Sequence, residues 1–304
     1  MKNLIFVATA ILLALAFSSC KKDGQYAPKE RISKIYVSTS NSPEKHLECV
    51  WTWDDKKLSK IDYLFWNGDL FWTETFKYDS KNRIERVEDL KFNEYVQYTY
   101  DGNKLKGMEY YSEGELYQTS TFTYDGNKIS KMVIVSKDSD IIDKKTRFSL
   151  IPKEFKNKIS PKNDGSDYEV SIELTWDGDN VSYMKMTSTN SGEYHGEHYS
   201  YEYLQECNYT YDNKLNPMKG LWNIGGMTDE ESIMLLGIFS KNNITSITYT
   251  ETESYTMNGQ TETDTYTFVR NYNIAYDGKF PTEIMLTGHE ESSPYTHTTY
   301  YEYE

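Results

Sequence analysis

The sequence predicts an all-β protein: a long antiparallel meander of hairpin repeats, about 12–16 strands, curled into a closed or nearly closed barrel-like sheet with one short helix near residues 228–237. Three observations lead there. A four-residue unit, an apolar residue, a spacer, Tyr or Trp, then Asp, recurs along the chain. A second set of turn signals falls about midway between its copies. The chain is also rich in large side chains suited to filling a wide sheet, with 28 Tyr, 12 Phe and 6 Trp.

The unit occurs as Trp51-Thr52-Trp53-Asp54, Phe76-Lys77-Tyr78-Asp79, Tyr98-Thr99-Tyr100-Asp101 and Phe122-Thr123-Tyr124-Asp125. Later copies are Leu174-Thr175-Trp176-Asp177, Tyr209-Thr210-Tyr211-Asp212 and Ile274-Ala275-Tyr276-Asp277. A separation of two puts both bulky side chains on one face of a strand and Thr, Lys or Ala on the other. Asp followed by Gly or Asn is turn chemistry. An aliphatic returns after each turn (Leu58, Ile84, Leu105, Ile129, Val181, Leu215), and another follows three residues later (Ile61, Val87, Met108, Met132, Met184). The midway signals are Asn67-Gly68-Asp69, Glu113-Gly114-Glu115, Ser191-Gly192-Glu193 and Asn258-Gly259-Gln260, so each repeat reads as a pair of antiparallel strands. Residues 137–167 break the rhythm with Pro152 and Pro161. Near 228–237, Thr228 and Glu231 form a capping box ahead of Ile233-Met234-Leu235-Leu236, predicting the helix and a cover for one end of the sheet. Closing a meander this long removes its edges.

At the N-terminus, Lys2 precedes the apolar run Leu4–Ala16, too short to span a bilayer. The run ends at Phe17-Ser18-Ser19-Cys20, which resembles a bacterial lipoprotein box; an ordinary secretory signal with an incidental Cys is the other reading. The expected organisation is a signal peptide over 1–19, a lipidated tether over 20–30 beginning at Cys20, and a single repeat domain over 31–304. Lys21, rather than Asp, follows the cysteine, so outer-membrane placement is expected, lipid-anchored on a periplasmic or cell-surface face. Cys49 and Cys207 lie far apart in sequence and read as two separate buried thiols, with a disulfide as the alternative.

Units carrying Tyr-Asp, then Asn, Lys or Arg, then Leu or Ile resemble the YD repeats of Rhs-type proteins. They are closer still to lipoproteins of Gram-negative bacteria built from divergent YD-like repeats, whose recurrent elements occur here as Tyr211-Asp212-Asn213-Lys214, Asn216-Pro217 and Ser240-Lys241-Asn242-Asn243-Ile244. The resemblance covers most of the mature chain. It implies a porin-like, barrel-like soluble fold and brings no catalytic residues with it.

The net charge of −14 repels nucleic acid, and none is expected as a partner. Lys, Glu, Thr and Ser opposite the aromatics favour a soluble barrel over a membrane-spanning one, whose lumen would then be heavily charged. No nucleophile elbow, phosphate loop or dinucleotide fingerprint is present, no cofactor is expected, and the chain is read as a non-enzyme. His195-Gly196-Glu197-His198 reads as surface histidines rather than a metal site, and Asp177-Gly178-Asp179-Asn180 as a turn rather than a calcium loop. His289-Glu290-Glu291 lacks the second His of a zinc-protease motif.

One stretch departs from simple fold-building. Tyr63–Trp72 (YLFWNGDLFW) is apolar on both faces up to its turn. Phe65, Trp66, Phe71 and Trp72 are therefore either covered by another loop, the ordinary outcome, or exposed for a partner. If exposed, flat rings beside Asn67 and Asp69 suit carbohydrate stacking, with Trp222 a further candidate of the same kind. The expected role is non-catalytic binding of a glycan or other envelope ligand, with the membrane engaged through the N-terminal lipid. The alternative is a structural or adhesive protein docking to an envelope protein, and a hydrolase without recognisable signature ranks below both.

Overall fold

A computed structural model describes residue 23 and residues 25–136, 168–194, 197–221, 238–290 and 293–304. The expected excursion over 137–167, the helix near 228–237, Cys20 and Trp222 lie outside the described residues.

The strands are β1 (Ile32–Thr39), β2 (Ser42–Asp54), β3 (Lys57–Leu64), β4 (Leu70–Tyr78), β5 (Ile84–Asp89), β6 (Glu94–Asp101), β7 (Lys104–Ser112) and β8 (Glu115–Asp125). They continue as β9 (Lys128–Ser136), β10 (Tyr168–Asp177), β11 (Asn180–Tyr194), β12 (Glu197–Leu215), β13 (Asn242–Met257), β14 (Gln260–Asp277), β15 (Phe280–Glu290) and β16 (Ser293–Tyr303). Each pairs antiparallel with its sequence neighbours, and β1 pairs β16 from Ile32↔Tyr303 to Thr39↔His297, closing a barrel of 16 strands. In such a meander alternate turns lie at opposite ends. The Tyr-Asp turns gather at one rim, and the tips containing Asn67-Gly68, Glu113-Gly114 and Asn258-Gly259 at the other.

Period-2 alternation sends the aromatic and aliphatic set inward, where Leu58, Ile61, Ile84, Val87, Leu105, Met108, Met132 and Val181 belong to one contiguous core. The opposite face forms the outer wall and carries ion pairs, Lys60–Asp62 within β3 (2.6 Å) and, across strands, Lys77–Glu88 (2.7 Å) and Lys131–Glu173 (4.0 Å). A lipid-facing wall would instead carry an apolar belt. Cys49 and Cys207 are both buried and are not joined by a disulfide. The Cys49 sulfur accepts the Trp51 indole N–H at 3.2 Å, and burial pushes the Cys207 thiol up to about 12.

The Tyr-Asp rim explains the repeat chemically. The ring of one repeat donates its polar hydrogen to the carbonyl of the aliphatic that follows the previous turn: Tyr78 to Leu58 (2.7 Å), Tyr100 to Ile84 (2.6 Å), Tyr124 to Leu105 (3.0 Å), Trp176 to Ile129 (2.7 Å) and Tyr211 to Val181 (2.6 Å). Trp53 does the same to Ile32 (2.7 Å) and Tyr303 to Pro281 (2.7 Å), which carries the pattern across the β1–β16 seam. The basic residue after each turn leans on the next ring in turn. Arg83 lies 3.9 Å from the Tyr100 centroid, Lys104 4.8 Å from Tyr124 and Lys128 5.6 Å from Trp176, and each donates to the carbonyl of the neighbouring turn glycine.

Register slips by one residue beside each of these rings and beside Tyr276, leaving Ser33, Ser59, Glu85, Lys106, Ser130, Ser182, Thr245 and Thr282 unpaired as β-bulges. Ser59, Ser130 and Ser182 bond back to the Thr52, Thr123 and Thr175 carbonyls. Bulges bend and twist a strand, so a ring of them curls the sheet at this end. One turn expected from the sequence is corrected: Ser191-Gly192-Glu193 is not a turn but lies within β11, with Gly192 opposite Tyr199. A Cβ at Gly192 would stand 2.8–3.0 Å from the Tyr199 side chain, so this glycine serves a close approach.

Asp23, Gln25 and Tyr26, expected as part of the tether, lie along the Tyr-Asp rim. The Asp23 carboxylate accepts from the Leu105 N–H (3.1 Å) and the Tyr124 hydroxyl (2.7 Å), and Gln25 donates to the Lys81 carbonyl (2.8 Å). Tyr26 is buried beside Trp51 and Trp53 and donates to the Pro217 carbonyl at 2.9 Å, so this end of the barrel is capped from within the chain.

Candidate functional site

At the far rim, β3 and β4 carry the apolar stretch singled out in the sequence. The turn is locked by its own atoms. Phe65 N–H donates to the Asp69 carbonyl and Gly68 N–H to the Phe65 carbonyl, both at 2.8 Å, and Gly68 takes φ +85°, where a side chain would be strained. Asn67 accepts from the Asp69 N–H (3.1 Å) and donates to the Asp69 carboxylate (2.6 Å). Both polar groups expected beside the rings therefore hold the turn in shape, while their remaining atoms face water.

The four rings separate into two roles. Trp66 is 59% exposed and Phe65 43%, whereas Trp72 is 8% exposed and stacks on Tyr63 with centroids 4.3 Å apart. The alternation of β4 turns Trp72 inward, while Trp66 sits at the tip. Phe71 is half-buried between them, 4.2 Å from Phe65 and 4.5 Å from Trp72. His46 meets the Trp66 edge at 4.3 Å and is steadied by Ser42 Oγ at 3.0 Å.

The neighbouring β5–β6 turn completes the surface, a part that no residue pattern announces. Asp89, buried, accepts the N–H groups of Lys91 (2.9 Å) and Phe92 (3.3 Å). Lys91 then reaches across to bond the Phe71 carbonyl, with its ammonium 4.9 Å from the Phe71 ring, 5.3 Å from Phe92 and 5.8 Å from Phe65. Leu90 and Leu70 are exposed beside it, at 74% and 57%. A lone exposed leucine at a tip would mean little; Leu70 and Leu90 beside two exposed aromatics form a patch. Beneath it the wall turns polar. Tyr63 donates to the wholly buried Glu74 carboxylate at 3.2 Å, and burial first, then that carboxylate, push its phenol well above its ordinary range.

The patch offers stacking faces, one cation and rigid backbone, which is binding chemistry. Among the described residues no group of three or more His, Cys, Asp or Glu is placed to hold a metal ion. Of the histidine motifs weighed in the sequence, His195 and the side chains of His289 and Glu290 lie outside the described residues, and His198 is exposed on β12.

No family model matches the chain, and no curated protein matches it. Among solved structures it is similar to a porin-like protein from Bacteroides vulgatus, at 14% identity and a TM-score of 0.49 over 91% of this chain and 99% of that one. It is also similar to a porin-like protein from Bacteroides uniformis, at 13% identity and a TM-score of 0.47 over 93% of this chain and 100% of the other. Likeness this distant leaves the function to be read from the chain's own residues.

Proposed function

We propose that the chain is a non-catalytic binding protein of the bacterial cell envelope, a lipid-anchored lipoprotein of the YD-like repeat kind, whose barrel is a rigid mount for the aromatic rim. Exposure of Trp66 on a locked turn carries this reading. A ring held in place loses little conformational freedom on binding, and a flat face beside Lys91 and the Asn67 and Asp69 edges suits a sugar ring with its hydroxyls. Cys20 is the acylated residue. Asp23, three residues on, is bonded to the Tyr-Asp rim, so the lipid would sit within about 11 Å of that rim. The aromatic rim, at the other end of the barrel, would face away from the anchoring membrane.

Leu70 and Leu90 support a second reading, a docking surface for an envelope protein, since aliphatic side chains add little to sugar recognition. A glycan-panel binding screen with the barrel lacking residues 1–22, beside its Trp66→Ala and Phe65→Ala variants, separates the two. Binding lost in the folded variants supports the glycan role. Absence of binding across a broad panel overturns it in favour of the protein partner.

A further inference from the structure

Beyond the barrel wall the sheet continues as a projection. Strands β3–β9 run 6 to 11 residues, whereas β11, β12, β13 and β14 have 15, 19, 16 and 18. β14 pairs with β13 from Gln260 to Asn271 but with β15 only from Asn271 to Asp277. Among the described residues, 260–270 therefore have a strand on one side and none on the other, and every residue from 260 to 269 is exposed.

The two faces of this stretch differ. Thr261, Thr263, Thr265 and Thr267 bond through their hydroxyls to Thr256, Ser254, Thr252 and Thr250 of β13, at 2.8–3.3 Å. The other face presents Glu262, Asp264, Tyr266, Phe268 and Arg270. In an antiparallel ladder alternate residues bond to a given neighbour. Counting from the two-residue Asn258-Gly259 turn (φ 52° and 78°), the even residues bond β13 and Thr261 to Val269 aim their N–H and C=O groups outward. Neither proline nor a bulge blunts this edge, the usual guards against strand addition. Glu262 and Asp264 are its only acids, and they repel a like edge unless the register sets a cation against them.

We propose that a second copy of this chain pairs along this edge, β14 against β14, antiparallel about a two-fold axis at Tyr266. In that register Glu262 of each copy faces Arg270 of the other, Tyr266 meets its own counterpart, and Thr265 lies opposite Thr267, repeating the hydroxyl pairing that β13 already makes. The ladder spans residues 262–270, about 30 Å of shared edge. Centring the axis on Asp264 sets two carboxylates face to face. Centring it on Thr267 pairs Asp264 with Arg270 but shortens the ladder to residues 264–270, because Asn271 is already paired with β15. The contact is isologous and closes on itself, so it gives a dimer and not a fibre.

The test is the mass of the full chain in detergent by light scattering, together with Tyr266→Cys under oxidising conditions. Expected are a dimer and a disulfide-linked dimer from the cysteine variant alone among single cysteines placed at 262, 266 and 268. Thr265→Pro removes an outward N–H and leaves the β13 ladder whole, so it should give folded monomer. Glu262→Arg should weaken dimerisation about tenfold and the Glu262→Arg, Arg270→Glu swap restore it. A wild-type monomer at about 100 μM, a dimer that survives Thr265→Pro, or a swap that fails to rescue overturns the pairing.

Discussion

Replacing Arg83 with Met keeps an unbranched apolar stem and removes everything its guanidinium does on the Tyr-Asp rim. That group forms an ion pair with Asp79 through two nitrogens at 2.6 and 2.7 Å, donates to the Gly102 carbonyl at 2.8 Å and covers the Tyr100 ring at 3.9 Å. Its side chain is only 9% exposed and that of Asp79 17%, so the substitution leaves a carboxylate largely out of water. Breaking a buried pair by removing one partner costs about 3–5 kcal/mol. Residual hydration of Asp79 lowers that, and the lost carbonyl bond and cation–π contact, each about 1 kcal/mol, restore it. The expected loss is about 3–4 kcal/mol, measured by urea unfolding followed through tryptophan fluorescence. Lys104→Met, one repeat on, loses the same ring and carbonyl contacts but no ion pair among the described residues, and should cost about 1 kcal/mol. Equal losses at the two positions, or a loss below about 1 kcal/mol for Arg83→Met, would refute the claim that the Asp79 pair anchors this rim.

Burial alone would raise the Asp79 carboxyl, but bonds from the Arg83 N–H and guanidinium and the Lys81 N–H hold it below its ordinary value of 3.8. A depressed folded value means the stabilisation is complete above that value and is lost as pH falls through the folded one, so wild type should lose more stability on acidification than Arg83→Met. Trp66→Ala should change stability by less than about 0.5 kcal/mol, whereas Trp72→Ala should cost about 3–5 kcal/mol, and thermal melts of the pair will separate surface from core. Gly107→Ala puts a Cβ 3.0 Å from the Ser120 carbonyl oxygen, a backbone atom that yields only with the neighbouring strand, and should cost about 1–3 kcal/mol in the same assay.

Architecture was readable because each repeat states strand, turn and face in a few residues. Trp51 and Trp53, or Tyr98 and Tyr100, share a face, and the Asp that follows ends the strand. The bulges were also written in the sequence, in the three-residue step from Leu58 to Ile61 and from Ile129 to Met132. Two inward residues three apart on a strand require one extra residue between them, Ser59 or Ser130. The last copy, Tyr301-Glu302-Tyr303-Glu304, is hidden in the sequence because Glu replaces Asp, although Tyr303 makes the same carbonyl bond. Gly192 misled because a glycine between Ser and Glu looks like a turn, whereas its reason is the Tyr199 ring on the next strand. The aromatic tip was found in the sequence, but its division into exposed Trp66 and buried Trp72 was not. Nor was the arrival of Lys91, which comes from a different hairpin through the register of β4 with β5.

The ring of Tyr, Trp, Lys and Arg contacts also bears on how such a chain can change in length. In an open stack of repeats a duplicated unit lengthens the rod and meets its neighbours as before. Here one more hairpin adds two strands to a closed circumference, roughly 10 Å at the usual strand spacing. The barrel would widen, and the core that fills 16 strands would no longer reach across it. Gaining or losing a repeat therefore demands new interior volume all round the wall at once, so the repeat number of a filled barrel is held by its core even while each repeat remains free to drift in sequence.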